Sequence, residues 1–170
     1  DESSAVFQEC MVKQGVSKTH GGCIFNANSV VNITRSTLAY CRADAYGGAI
    51  GTYGDIYIQD STFEHNEATT YGGDLLVSGG AHVEVVRTVF KGGRALTYGG
   101  SINADGASLM RFTDSTFLDV QAGTSGLASV GSGSRAEFLR CFISTITSTE
   151  SAYTFYVDTV SSLRIVDSVI

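Results

Sequence analysis

The chain has 170 residues, 43% of them hydrophobic and 16% charged, with 20 Gly, no Pro and a formal net charge of −6. This balance excludes a disordered acidic tail, a coiled coil and a collagen. The acidic surface has the wrong sign for a duplex-binding protein. The sequence has no 18-residue apolar run to cross a membrane as a helix, and eleven Lys and Arg are too few for a polybasic membrane patch.

At ordinary usage a chain of this length would carry roughly eight prolines. Proline cannot donate to a β ladder, so its absence suggests a backbone whose N–H groups are nearly all committed.

In chain order, the sequence repeats. Gly pairs stand at 21–22, 47–48, 72–73 and 99–100. A bulky apolar residue recurs at the same interval: Val12, Leu38, Phe63, Phe90, Phe117, Ile143 and Ile170. Columns can be counted back from these residues. Column −5 is Phe7, Ile33, Ile58, Val85, Phe112, Phe138 and Ile165, and column −7 is Ala5, Val31, Ile56, Val83, Met110, Ala136 and Leu163. Both are apolar, and the residue between them is mostly polar, which is the in–out–in signature of a strand with one buried face. Column −2 holds only Cys, Ser and Thr, which suggests a corner. Ile24, Ile50, Leu75 and Ile102 follow the Gly pairs and should point inward.

Columns that keep their chemistry over seven repeats predict an all-β parallel β-helix of right-handed type, about six coils of 25–27 residues. A hairpin sandwich gives no reason for such columns. Residues 1–170 read as one domain. No capping segment is evident at either end, so the expectation is a segment of a longer rod or a subunit stacking end to end.

Column −3 reads Glu9, Arg35, Asp60, Arg87, Asp114, Arg140 and Asp167: all charged, with the sign alternating at every step. In-register stacking would set opposite charges one coil apart, so this ladder is assigned to register. Column −6 adds Glu84, Arg111, Glu137 and Arg164, opposite in sign to column −3 within each coil. The two columns predict a checkerboard. Acids beside Arg have lowered pKa values and are poor acid catalysts.

His20, Tyr46, Tyr71 and Tyr98 precede the Gly pairs and predict an aromatic stripe, either cross-strand packing or a platform for sugar rings. Of the four cysteines, Cys10 and Cys141 share a column but lie five coils apart, roughly 24 Å, which leaves Cys141 without an intramolecular partner. Cys23–Cys41 is the preferred bridge, with Cys10–Cys41 next. Cys/His spacing suited to zinc is absent, so neither a metal nor a cofactor is expected. Asn32-Ile33-Thr34 is an N-glycosylation sequon, with Asn32 on an outward column.

The tetrapeptides Gly47-Gly48-Ala49-Ile50 and Phe63-Glu64-His65-Asn66 resemble the paired GGA[ILV] and FxxN repeats of chlamydial polymorphic membrane proteins. Degenerate GGxI-like copies extend the similarity over residues 20–126. The FxxN half is lost elsewhere, since the matching positions are Cys41, Gly93 and Val120. The resemblance implies an extracellular, passenger-like and often adhesive rod at a cell surface. The expected function is therefore a structural or adhesive β-solenoid with no catalytic residues. Partners would be further coils, in a longer chain or end to end, and glycans or a cell-surface ligand, without nucleic acid or membrane insertion. The alternative is a polysaccharide-binding or polysaccharide-degrading β-helix. Asp44, Glu64, Asp74, Asp105 and Asp119 are the carboxylates outside the ladder weighed for that role, and they fall in different columns. Thr37, Thr62 and Thr116 are too irregular a column for ice binding.

Overall fold

The computed structural model describes residues 3–151 and 153–170. The chain is a parallel β-solenoid of about six turns. The first sheet stacks seven strands in chain order, from Ser4–Gln8 through Val30–Thr34, Ile56–Gln59, His82–Val86, Leu109–Thr113 and Arg135–Leu139 to Ser162–Val166. The second runs from Met11–Lys13 to Phe142–Ser148. The third runs from Ile24–Asn26 through Ile50–Thr52, Leu75–Val77, Ile102–Ala104 and Ser125–Val130 to Tyr153–Val157.

Register follows the sequence columns. Ile33 faces Phe7 below and Ile58 above, and Phe138 faces Phe112 and Ile165. Alternation puts these residues in the core, where like stacks on like. Phe63, Phe90 and Phe117 form a ring column with centroids 4.7 and 4.8 Å apart, and Phe112 and Phe138 form a second at 5.0 Å. Identical shapes one above another fill each layer without voids, which is the packing a solenoid core needs.

The corners are made by backbone conformation. Every residue of column −3 has positive φ, from 47° at Arg35 and Arg87 to 53° at Glu9. A second left-handed column lies two residues after the bulky apolar column: Gln14, Tyr40, His65, Gly92, Asp119 and Thr145. Left-handed backbone is unfavourable for a residue with a Cβ. Here the corner N–H joins the ladder wherever a further coil stacks on it, as in Arg35 N–H to Gln59 O at 3.0 Å and Arg87 N–H to Thr113 O at 3.0 Å. Pro, locked near φ −65° and lacking an N–H, fits neither column.

The small column −2 residue completes the corner. The Ser36 N–H donates to Ser61 Oγ at 3.1 Å, and Ser61 Oγ–H donates to Gln59 O at 2.8 Å. The same pattern joins Thr88 to Ser115 and Cys141 to Ser168. A hydroxyl one carbon from the backbone reaches both partners, so larger residues are excluded.

At the ladder the charges alternate along the axis, with Arg87 between Asp60 and Asp114 and Arg140 between Asp114 and Asp167, but direct contacts do not form at every step. Column −3 breaks into pairs: Arg35 with Glu9 at 2.7 Å, Arg87 with Asp60 at 2.7 Å and Arg140 with Asp114 at 2.7 Å. Each Arg uses Nε and Nη2 on the coil below. A guanidinium fork that grips one carboxylate through both nitrogens has no reach left for the next. Asp167 has no ion-pair partner among the described residues. Within a coil, no ion pair joins columns −6 and −3. Arg111 instead bonds along the axis to Glu84 at 3.4 Å and Glu137 at 3.0 Å, and Glu137 also pairs with Arg135 in its own strand.

Cys23 and Cys41 form a disulfide with Cα atoms 5.5 Å apart, closing one coil onto the next. Cys10 is a free exposed thiol and Cys141 a free buried one.

Because column −3 is left-handed, deleting the Arg87 guanidinium should have two different costs. Arg87→Gly loses the Asp60 pair but relieves the backbone, whereas Arg87→Val loses the pair and adds a β-branched clash. Thermal unfolding should place the Val variant about 4 °C or more below the Gly variant. Equal melting temperatures would mean that φ at this column carries no strain.

Candidate functional site

The candidate site lies on the outer surface of the third sheet. Residues one place after the inward Ile24, Ile50, Leu75, Ile102 and Ala128 face outward: Phe25, Gly51, Leu76, Asn103 and Ser129. Apart from Phe25 at one end, these side chains are smaller than the flanking aromatic rings, and Leu76, Asn103 and Ser129 make a floor. The residues before the Gly pairs form one wall. His20, Tyr46, Tyr71 and Tyr98 are bridge partners coil over coil, and the column continues to Ser125. Tyr53, Ser78, Asp105 and Gly131 form the other wall, just past the ends of the third-sheet strands. Between them lies an open trough of about 480 Å³.

Adjacent rings of the first wall touch, stacked at Tyr46–Tyr71 and tilted by 45° and 47° at His20–Tyr46 and Tyr71–Tyr98. Centroids are 5.1 Å apart for His20–Tyr46, 5.4 Å for Tyr46–Tyr71 and 5.7 Å for Tyr71–Tyr98. The Tyr46–Tyr71 planes differ by 19°. The stacked Tyr46 and Tyr71 rings cover one another's faces, so this part of the wall offers edges and hydroxyls to the trough. This is the cross-strand packing reading of the stripe.

Both ends are closed by aromatic contacts. At the first, Tyr53 Oη and His20 Nε2 lie 3.1 Å apart and join the two walls. At the other, Tyr156, the floor residue of the last coil, comes within 5.6 Å of the Tyr98 ring.

The floor is polar in its second half. Asn103 and Ser129 are register partners, each only 7% exposed. Neither side chain has a hydrogen-bond partner among the described residues, and neither is sealed from the trough. Asp105 is the one charged lining residue.

A second buried polar group lies inside the solenoid. Asp74, next to the Gly72–Gly73 pair, is fully buried. Its carboxylate accepts from Asn66 Nδ2 at 2.9 Å and Ser101 Oγ at 2.7 Å. Burial outweighs both bonds and pushes its pKa up to about 7. A Cβ on Gly93 would meet Asp74 Oδ2 at 2.2 Å, so that glycine makes the room. Asn66, the Asn of the FxxN tetrapeptide, also accepts from Cys41 N–H at 3.0 Å and donates to Leu38 O at 3.1 Å.

The other sequence-predicted residues lie apart from the trough. The charge ladder follows the corner after the first sheet, and Asn32 is half-buried on the outer face of strand Val30–Thr34. Asp44 is near Arg42 and Glu64 near His65. Asp119 is a left-handed corner residue. Among the described residues, no group of three His, Cys, Asp or Glu side chains could hold a metal. Sequence reasoning found one wall of the trough but missed Tyr53, Asn103, Ser129 and Tyr156. The available signal was the outward column one place after the inward aliphatic residues. No protein family, curated protein or solved structure matches the chain.

The acids should give stability a pH optimum. Arg87 holds Asp60 at about 2, and Arg140 and Arg111 hold Asp114 and Glu137 below the usual carboxylate range. Their stabilisation is full above about pH 4 and is lost as pH falls through their folded values. Asp74 has the opposite sign. Its ionisation opposes folding increasingly from about pH 4 up to about pH 7, where the cost reaches about 4 kcal/mol. Melting temperature should therefore peak near pH 4–5 and decline toward pH 7. Asp74→Asn should flatten that decline and leave the acid limb unchanged. An unaltered profile would show that Asp74 is not the group responsible.

Proposed function

We propose that the chain is an extracellular adhesive β-solenoid: a rod whose coils present a lateral binding trough and carry out no chemistry. The observation that carries this reading is the composition of the trough, which among the described residues has a single carboxylate, Asp105, and otherwise neutral polar, aromatic and aliphatic groups. Hydrolysis of a glycosidic bond uses two opposed carboxyl groups, and lyase chemistry uses a basic residue or bound cation. The remaining carboxylates weighed at the outset lie elsewhere, including Asp74 inside the core. The GGAI and FEHN tetrapeptides, with their resemblance to chlamydial surface passengers, support a cell-surface setting. So does the Cys23–Cys41 bridge, because disulfides persist in oxidising compartments. The Asn32 sequon on the outer face of the first sheet is compatible with a glycan in a secreted eukaryotic setting.

The bridge has a direct check. Unfolded protein should titrate two thiols before reduction and four after it, whereas four before reduction would remove this support for secretion. The function itself is tested by passing the protein over immobilised extracellular polysaccharides and matrix proteins while assaying reducing ends and unsaturated products. Retention without product is the expected result. Product formation on any polymer would make the chain an enzyme, and no retention on any support would end the adhesive reading.

A further inference from the structure

We propose that the trough binds a short neutral glycan segment laid along the rod axis, with the Asn103 amide and Ser129 hydroxyl as its central polar contacts. This proposal rests on the adhesive reading and names the ligand class.

Three observations carry it. The first is the unpaired polar floor. Asn103 offers two N–H donors and a carbonyl acceptor, and Ser129 beside it offers a hydroxyl. Both residues are more than nine-tenths buried, their polar atoms open onto the trough, and neither side chain bonds within the described protein. Groups left to water in this way can exchange it for a ligand, so a floor of this kind suits a partner rich in hydroxyls. Nothing in the fold asks for polarity here, because the same column holds Gly51 and Leu76 in the preceding coils.

The second is charge. Among the described residues no Lys or Arg lines the trough, and Asp105 stands at its rim. Sulfated or uronate chains would meet a carboxylate and no cation. Neutral sugars lose nothing to this field, and a carboxylate accepts well from sugar hydroxyls.

The third is shape. The walls repeat once per coil, about 4.8 Å, a rise of the same order as one residue of an extended pyranose chain. The His20–Tyr53 contact and the Tyr98–Tyr156 contact bound the trough. The enclosed floor, from Leu76 to Ser129, covers two coil steps, roughly 10 Å. That length fits about two sugars or a chain end. A peptide strand gains little here, since the floor backbone is paired in the ladder on both sides and offers no open edge.

The test uses the whole chain displayed on beads. Probes are neutral hexasaccharides of the cello, xylo, manno and laminari series, with oligogalacturonate, heparin fragments and a random peptide pool for comparison. Binding to at least one neutral series and to neither anionic probe is expected. Asn103→Leu and Ser129→Ala should each weaken it about tenfold or more, with melting temperatures near that of the parent because both side chains face outward. If a variant misfolds, free trisaccharide of the bound series should still perturb the native tyrosine fluorescence in the parent. Failure of every neutral probe, preference for anionic sugars or peptides, or full binding by both folded variants would overturn the proposal. Retention on matrix supports without neutral-glycan binding would overturn it and leave the adhesive reading standing. Loss of all retention would remove both.

Discussion

Everything in this molecule depends on keeping one coil in register above the next through the backbone ladder. A solenoid has no long-range tertiary packing beyond its neighbours, so each layer must bond to the layer above and below along nearly its whole perimeter. A coil must also turn sharply without taking its N–H groups out of that ladder. The solution is left-handed backbone at fixed columns, with the corner N–H still donating to the next coil. The local strain is tolerated because the ladder on both sides over-determines the geometry. The missing prolines and the small hydroxyl column both follow from this requirement. So does the exposure of the charged corner residues.

Stacking also converts a one-dimensional sequence into a surface. Any outward column becomes a stripe along the rod, and two bulky columns flanking a small one become a trough. The aromatic wall is held by ring contacts from coil to coil, and where Tyr46 and Tyr71 stack it presents hydroxyls and edges instead of ring faces. The proposed glycan contacts therefore rest on the floor, where Asn103 and Ser129 are held in place by the strands beneath them. A site built on paired strands is more rigid than one built on loops, which suits recognition of a flexible polymer.

The interior polar groups show how a repeat accommodates exceptions. Asn66 satisfies Cys41 N–H and Leu38 O of the coil below and the buried Asp74 carboxylate. The matching residues of the adjacent coils are Cys41, bonded to Cys23, and Gly93, which makes room for Asp74. The FxxN pattern is thus lost in those coils because each uses a different device at the same place. Asp74 leaves a carboxyl inside the rod that opposes folding as it ionises, so the repeat tolerates a pH-dependent weakness in one layer.

The sequence by itself determined the fold. Side chains recurring at a constant interval imply neighbours one coil apart, and strand alternation then assigns Ile33, Phe63 and Phe112 to the core. It also located one wall of the trough and the column of alternating charges, because like positions stack. Only the tertiary structure decided how those charges pair, since the reach of a guanidinium fork depends on the direction in which a left-handed corner points it. Only the tertiary structure brought Tyr53 to His20, Tyr156 to Tyr98, and Asn103 and Ser129 together at the bottom of a trough. Those contacts join different columns, and separation across columns depends on where the corners turn. The period of the repeat reports distances along the rod axis and carries no information about distances around the coil.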